Sequence, residues 1–213
     1  MKTDDLIYML ASGPDVAVSA PSARSALSPL LWGLLASFLM MLVLLGVRRE
    51  LMAELMLPAF WSKLGFSVAL MAAGLIAVRR LSVPGARTRT LPALIAAPLL
   101  LAWTASAALL TNAAPEARVD LFWGSTWHYC TMLIALISLP MFVAILRVMR
   151  ERTPTRLRLA GAAAGFAAGA TAAVLYCLHC PELSIVFVGF WYLLGMLVPA
   201  AVGALIGPRV LAW

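Results

Sequence analysis

Apolar and polar positions along this chain fall into long blocks rather than the short periods of a soluble fold. Six nearly charge-free apolar runs occupy residues 29–47, 60–78, 91–112, 122–146, 159–179 and 184–206. A helix needs about 20 apolar residues to cross roughly 30 Å of hydrocarbon, so each run is predicted to be a transmembrane helix. None alternates like a barrel strand, and hydrocarbon leaves unpaired backbone groups no partner. The predicted fold is therefore all-α, a polytopic membrane protein with six transmembrane helices over 29–213. Residues 1–28 precede it as a cytoplasmic amino-terminal helix and tether.

Composition agrees with this class: 63% of residues are hydrophobic and 12% charged, far from a soluble domain. The first apolar run begins only near Pro29, after a segment unlike the basic start of a signal peptide, which predicts a retained amino terminus. Charge sets the orientation. With the amino terminus in the cytoplasm, Lys2, Arg24, Arg79, Arg80, Arg87, Arg89, Arg147, Arg150, Arg152, Arg156, Arg158 and Arg209 all fall inside, twelve of the sixteen basic residues. Arg48, Arg49, Lys63 and Arg118 fall outside, most with acidic neighbours in RREL, MAEL or EARVD. The positive-inside rule thus predicts that both termini are cytoplasmic. The net charge of +7 sits in short inner loops, where it meets the anionic lipid bilayer. Those loops lack interleaved aromatics, which argues against direct nucleic-acid binding.

That topology brings every cysteine and histidine to the outer face. Cys130 lies about 25 Å from the inner boundary by helix rise and Cys177 about 28 Å, with His128, His179 and Cys180 at about 28 to 33 Å. Singly, such residues are packing or interfacial groups. Together they offer five soft or borderline ligands from two helices at one level, a set suited to Cu, Zn or Cd. Cys130, near the amino-terminal end of its helix, is expected to favour a thiolate. Cys177, His179 and Cys180, at a carboxyl end, favour a cation and disfavour a thiolate.

Two rival functions share these residues. CLHC at 177–180 is a C-x-x-C, as in membrane thiol-disulfide oxidoreductases, but reactive pairs of that kind gain their low pKa at a helix amino terminus. A soft-metal exporter needs ionisable residues deep in the bilayer, whereas the middles of the spans carry none and Lys63 is placed to snorkel outward. No catalytic triad, nucleotide loop or buried carboxylate pair points to an enzyme. Gly161, Gly165 and Gly169, with Gly203 and Gly207 in the last span, have the small-xxx-small spacing that lets helices approach closely.

The opening MKTDDLIYMLASGPD predicts a short amphipathic helix, with Thr3 as N-cap, Asp4 and Asp5 in the first turn and Gly13-Pro14 as a stop. Leu6, Ile7 and Leu10 share a face. Ten residues make a marginal helix alone, and two aspartates suit anionic lipid poorly, so a protein partner is the expected contact. The following DVAVSAPSARSALSP reads as a flexible tether.

TDDLIYMLA at the start, six spans of similar length, WHYC opening the fourth span and HCPE after the fifth together resemble the NrsF family of bacterial membrane-embedded anti-sigma factors. The resemblance covers nearly the whole chain. It implies an extracytoplasmic-function sigma factor as partner, held at the inner membrane by the amino-terminal segment through Asp4, Asp5, Leu6, Ile7 and Leu10. It further implies that a periplasmic pair, Cys130 and Cys180, senses heavy metal or oxidative stress and triggers release. No cofactor is required on this reading, and a soft metal ion acts as signal. Cys177 lies outside the family pattern, and His179 and His128 are further candidate ligands.

Overall fold

The computed structural model describes residues 3–12 and 23–212. In chain order the helices are α1 (Thr3–Ala11), α2 (Ala23–Leu44), α3 (Leu51–Glu54), α4 (Pro58–Leu81), α5 (Leu91–Asn112), α6 (Pro115–Trp123), α7 (Trp127–Ile137), α8 (Leu139–Arg150), α9 (Leu157–Tyr176), α10 (Ile185–Phe187) and α11 (Leu193–Val210). A π-helical turn, Val188–Tyr192, joins α10 to α11. No strand occurs among the described residues. Six helical stretches among the described residues are long and apolar enough to cross a membrane: 27–44, 58–81, 91–112, 115–150, 157–176 and 185–210.

These stretches follow the predicted runs, with two differences. Helix α2 starts at Ala23 and passes through Pro29, so residues 23–28 of the predicted tether are helical; Gly13-Pro14 and the rest of the tether lie outside the described residues. The fourth span is a composite. Gly124 ends α6, and Ser138 separates α7 from α8 just before Pro140, whose ring and missing N–H interrupt the helical ladder.

Helix α9 is the axis of the bundle. Its sequence LRLAGAAAGFAAGATAAVLY is nearly all Ala and Gly, and most of it is buried. Small side chains let neighbours approach to backbone contact. A Cβ on Gly161 or Gly165 would collide with the carbonyl oxygens of Gly203 or Pro199 in α11, and one on Gly203 with that of Gly161. On another face, a Cβ on Gly74 of α4 would lie 2.9 Å from the Ala167 Cα. Helices α7 and α8 also pack on α9, α2 packs mainly on α8, and α5 on α4 and α10.

The loops sort to two ends. The 45–57, 124–126 and 177–184 segments meet at one, where Arg48 N–H donates to the Leu178 carbonyl at 3.2 Å and Ser125 N–H to Glu182 Oε1 at 2.7 Å. The 82–90 and 151–156 loops meet at the other, where Arg156 reaches Thr88 Oγ1 at 3.5 Å. Trp103, Trp123, Trp127 and Trp191 gather toward the first end: Trp191 Nε1 donates to the Phe122 carbonyl at 2.9 Å and Trp103 Nε1 to the Gly189 carbonyl at 3.1 Å. Such a belt suits a membrane interface.

If backbone contact between α9 and α11 holds the bundle, Gly165→Ala lowers stability by about 1–3 kcal/mol through overpacking. Gly65→Ala, whose added Cβ meets nothing within 4 Å, stays within about 0.5 kcal/mol of the parent. Denaturation in detergent measures both, and equal effects would contradict the packing described.

Candidate functional site

Three elements deliver the thiols to one place. The first turn of α7, with Cys130 N–H bonded to the Thr126 carbonyl at 3.1 Å, points Cys130 inward. Helix α9 ends at Tyr176, and a tight turn with His179 and Cys180 N–H groups both 3.0 Å from the Tyr176 carbonyl folds Cys180 back over the helix end. Cys130, Cys177 and Cys180 are free thiols and fully buried.

Their partners differ. Cys130 is the hydrogen-bonding neighbour of Cys180, and the Tyr192 hydroxyl and the Glu182 backbone lie against the same sulfur. Cys177 Sγ instead lies 3.7 Å from Ser67 Oγ. The two cysteines of the C-x-x-C thus have different neighbours: the second faces Cys130, and the first packs beside them. Tyr192, in the π-helical turn, has its buried hydroxyl against Cys180 and no well-aligned hydrogen-bond partner among the described residues. π-Helical turns of this sort recur at functional sites.

Lys63 corrects the sequence reading most. It does not snorkel outward; it is 0% exposed. Its Nζ donates to the Cys180 carbonyl at 2.8 Å and the Glu182 carbonyl at 3.1 Å, and lies 5.6 Å from the centre of the Phe60 ring. The carbonyls at the carboxyl end of α9 thus capture a cation that would otherwise lie unpaired in an apolar layer.

Electrostatics at Cys180 also depart from the helix-dipole expectation. The hydrogen bond from Cys130, with help from Tyr192, the Glu182 N–H and the Lys63 charge, outweighs burial and lowers the Cys180 thiol to about 6. Direct donors within hydrogen-bonding reach exceed the fractional charge of a helix end.

Glu182 locks the turn in place. Its Oε1 accepts from Ser125 N–H at 2.7 Å and Ser125 Oγ at 2.8 Å. The carboxylate sits against Gly124, where φ is 54° and a Cβ would lie 2.7 Å from Glu182 Cδ. Only glycine meets both demands. On the other side His179 Nδ1 is 3.2 Å from the Gly46 carbonyl.

The predicted five-ligand set is therefore not assembled. Cys130 and Cys180 meet and Cys177 adjoins them, but His179 is turned to Gly46, and the exposed His128 stacks on Trp127 with ring centres 3.6 Å apart. Cys130 faces the opposite side of α7. Among the described residues no three of His, Cys, Asp and Glu converge as a metal ion requires. Lys63, Ser67, Tyr176, Tyr192 and Gly124 were missed by sequence reasoning. Lys63 alone left a signal, as an ionisable residue inside a predicted span.

An all-helical bundle with six membrane-length helices, closed at one end over a buried thiol pair, is the class that fold and site define. The chain belongs to the NrsF family, whose model, described as negative regulator of sigma F, matches residues 10–213. It is similar to a "Probable anti-sigma-F factor NrsF" of Azospira oryzae, 55% identical over 215 residues and covering 100% of both chains. The "Anti-sigma-F factor NrsF" of Caulobacter vibrioides is 36% identical over 217 residues, again with 100% of both covered. No solved structure matches.

The hydrogen bond from Cys130 predicts a measurable titration. In detergent, ultraviolet thiolate absorbance should rise with a midpoint of about 6. In Cys130→Ala that midpoint should move up toward the ordinary thiol value of about 8.5. An unchanged midpoint would show that Cys130 does not set the Cys180 charge.

Proposed function

We propose that this chain is an anti-sigma factor that binds a sigma factor of the extracytoplasmic-function class at the bacterial inner membrane and releases it when Cys130 and Cys180 are oxidised. The family and the two curated relatives support the anti-sigma role. The contact between Cys130 and Cys180 carries the sensing role, because two thiols from different spans, one held as thiolate near neutral pH, are what disulfide formation requires.

The chemistry balances with a peroxide as oxidant. The Cys180 thiolate attacks one peroxide oxygen, giving a sulfenic acid and hydroxide. The Cys130 thiol then displaces water to form the disulfide, so two thiols lose two electrons and the peroxide becomes water. The periplasm permits this product. The same two sulfurs suit a metal content with two soft ligands, such as Cu(I), and fall short of the four that zinc takes.

Release follows from the connectivity. Cys130 opens the span that ends in α8, Cys180 follows α9, and α8 and α9 are joined by the basic 151–156 loop at the far end of the bundle. Thr153, just before the buried Pro154, holds φ at 48°, a conformation that a β-branched residue disfavours. A covalent link that shifts α7 against α9 reaches this loop through rigid helices. A differential of a few kcal/mol between two packings is enough to move occupancy.

The amino-terminal helix supplies the partner surface on this reading. Leu6, Ile7 and Tyr8 of α1 are exposed, at 42%, 58% and 76%, beside Asp4 and Asp5 in the first turn; the Leu10 side chain lies outside the described residues. Apolar side chains so exposed on an amphipathic helix fit a groove on a partner.

Three variants test this reading when the full chain captures its sigma factor in membranes. Ile7→Asp weakens capture about tenfold or more, the effect of losing one buried apolar anchor. The Cys130→Ser/Cys180→Ser double variant captures normally but no longer releases on peroxide addition, whereas Cys177→Ser releases like the parent. Normal release by the double variant would remove the sensing role.

A further inference from the structure

A second feature lies at the end of the bundle away from the thiols. Helix α5 packs on α4 and α10 rather than along α9. An apolar cleft of about 380 Å³ separates it from α9, backed by Leu81 of α4 and lined by Leu91, Ile95, Leu159 and Phe166. Leu159, at its rim, is 53% exposed.

Thr88 closes the mouth of the cleft and also lines an open depression with Arg80, Arg87 and Arg89. Arg156 meets Thr88 from the other side. Apolar slot and basic mouth are thus continuous. The arginines there have no carboxylate partner among the described residues. Arg80 donates to the Arg87 carbonyl at 3.4 Å and to Thr90 Oγ1. Both ion pairs among the described residues, Arg48 with Glu50 and with Glu54, lie at the thiol end.

We infer that this site binds an anionic phospholipid, with an acyl chain in the cleft and the phosphate against Arg87, Arg89 and Arg156. Charge complementarity identifies the head: several arginines without counter-charge, in the loops predicted to face the anionic leaflet, attract a phosphate. The cleft identifies the tail. It lies between two membrane-length helices and its walls are apolar, so a chain of methylene groups fills it without stranding a polar atom. An acidic segment of a protein partner would satisfy the arginines but leave the cleft empty. A lipid so held would wedge α5 from α9 beside the 151–156 loop.

The full-length protein in detergent, offered equal dioleoyl phosphatidylglycerol and dioleoyl phosphatidylcholine and examined by native mass spectrometry, tests this. Phosphatidylglycerol should be retained with about a tenfold preference, the scale that two or three basic residues at a surface supply. Arg87→Gln with Arg89→Gln, both on exposed side chains, should bring the two lipids to near parity. Ala162→Phe, at a position lining the cleft, should reduce retention of either lipid, and excess inorganic phosphate should displace neither. Equal retention of both lipids by the parent would overturn the assignment, as would displacement by phosphate alone. An arginine double variant that keeps the lipid preference but loses sigma-factor capture would instead assign the mouth to the protein partner. Circular dichroism of each variant confirms that it is folded.

Discussion

A buried lysine governs how this bundle closes at its thiol end. Lys63 sits where water cannot reach it, and an uncompensated ammonium in such a place costs several kcal/mol. The Cys180 and Glu182 carbonyls supply the compensation, and they can do so only if α9 ends at Tyr176 and the chain doubles back as CLHCPE. The same turn places Cys180 against Cys130, and sends the Glu182 carboxylate to Ser125 and its N–H to the Cys180 sulfur. One interaction between the second span and the 177–184 turn therefore fixes the second span, the start of α7 and the end of α9 relative to one another.

From that fixed point the geometry runs the length of the molecule. Helix α9 is too poor in side chains to move independently of α11, because Gly161, Gly165, Gly203 and Pro199 bring the two backbones into direct contact. It also touches α4, α7 and α8. A change at its thiol end is thus shared with most of the bundle, and the 151–156 loop at its other end receives it. Close-packed helices respond by switching between arrangements, not by continuous bending.

The sequence made the spans legible because crossing hydrocarbon needs length and apolarity, both of which are local. It also made legible the layer of thiols, since helix rise converts position into depth, and the glycine faces, since their spacing is that of a helix. Pairing within the layer was not legible. His128 and Cys130 are two positions apart and so lie on nearly opposite sides of α7, a distinction that depth does not register. His179 goes to Gly46, whose carbonyl is brought close only by the tertiary fold. The Cys180 charge was misjudged because the helix dipole was weighed without the donors that surround the sulfur. Lys63 was read as an interfacial cation because a sequence cannot show that two carbonyls await it.

The central claim is that a bond between Cys130 and Cys180 at one end frees a sigma factor at the other. Its most direct test follows both events in the same membranes: peptide mass spectrometry for the Cys130–Cys180 disulfide, and the sigma factor remaining with the membrane fraction, through a titration with peroxide. The account predicts that the bound fraction falls in proportion as the disulfide forms and recovers when it is reduced. A sigma factor that stays bound with the disulfide fully formed would contradict it.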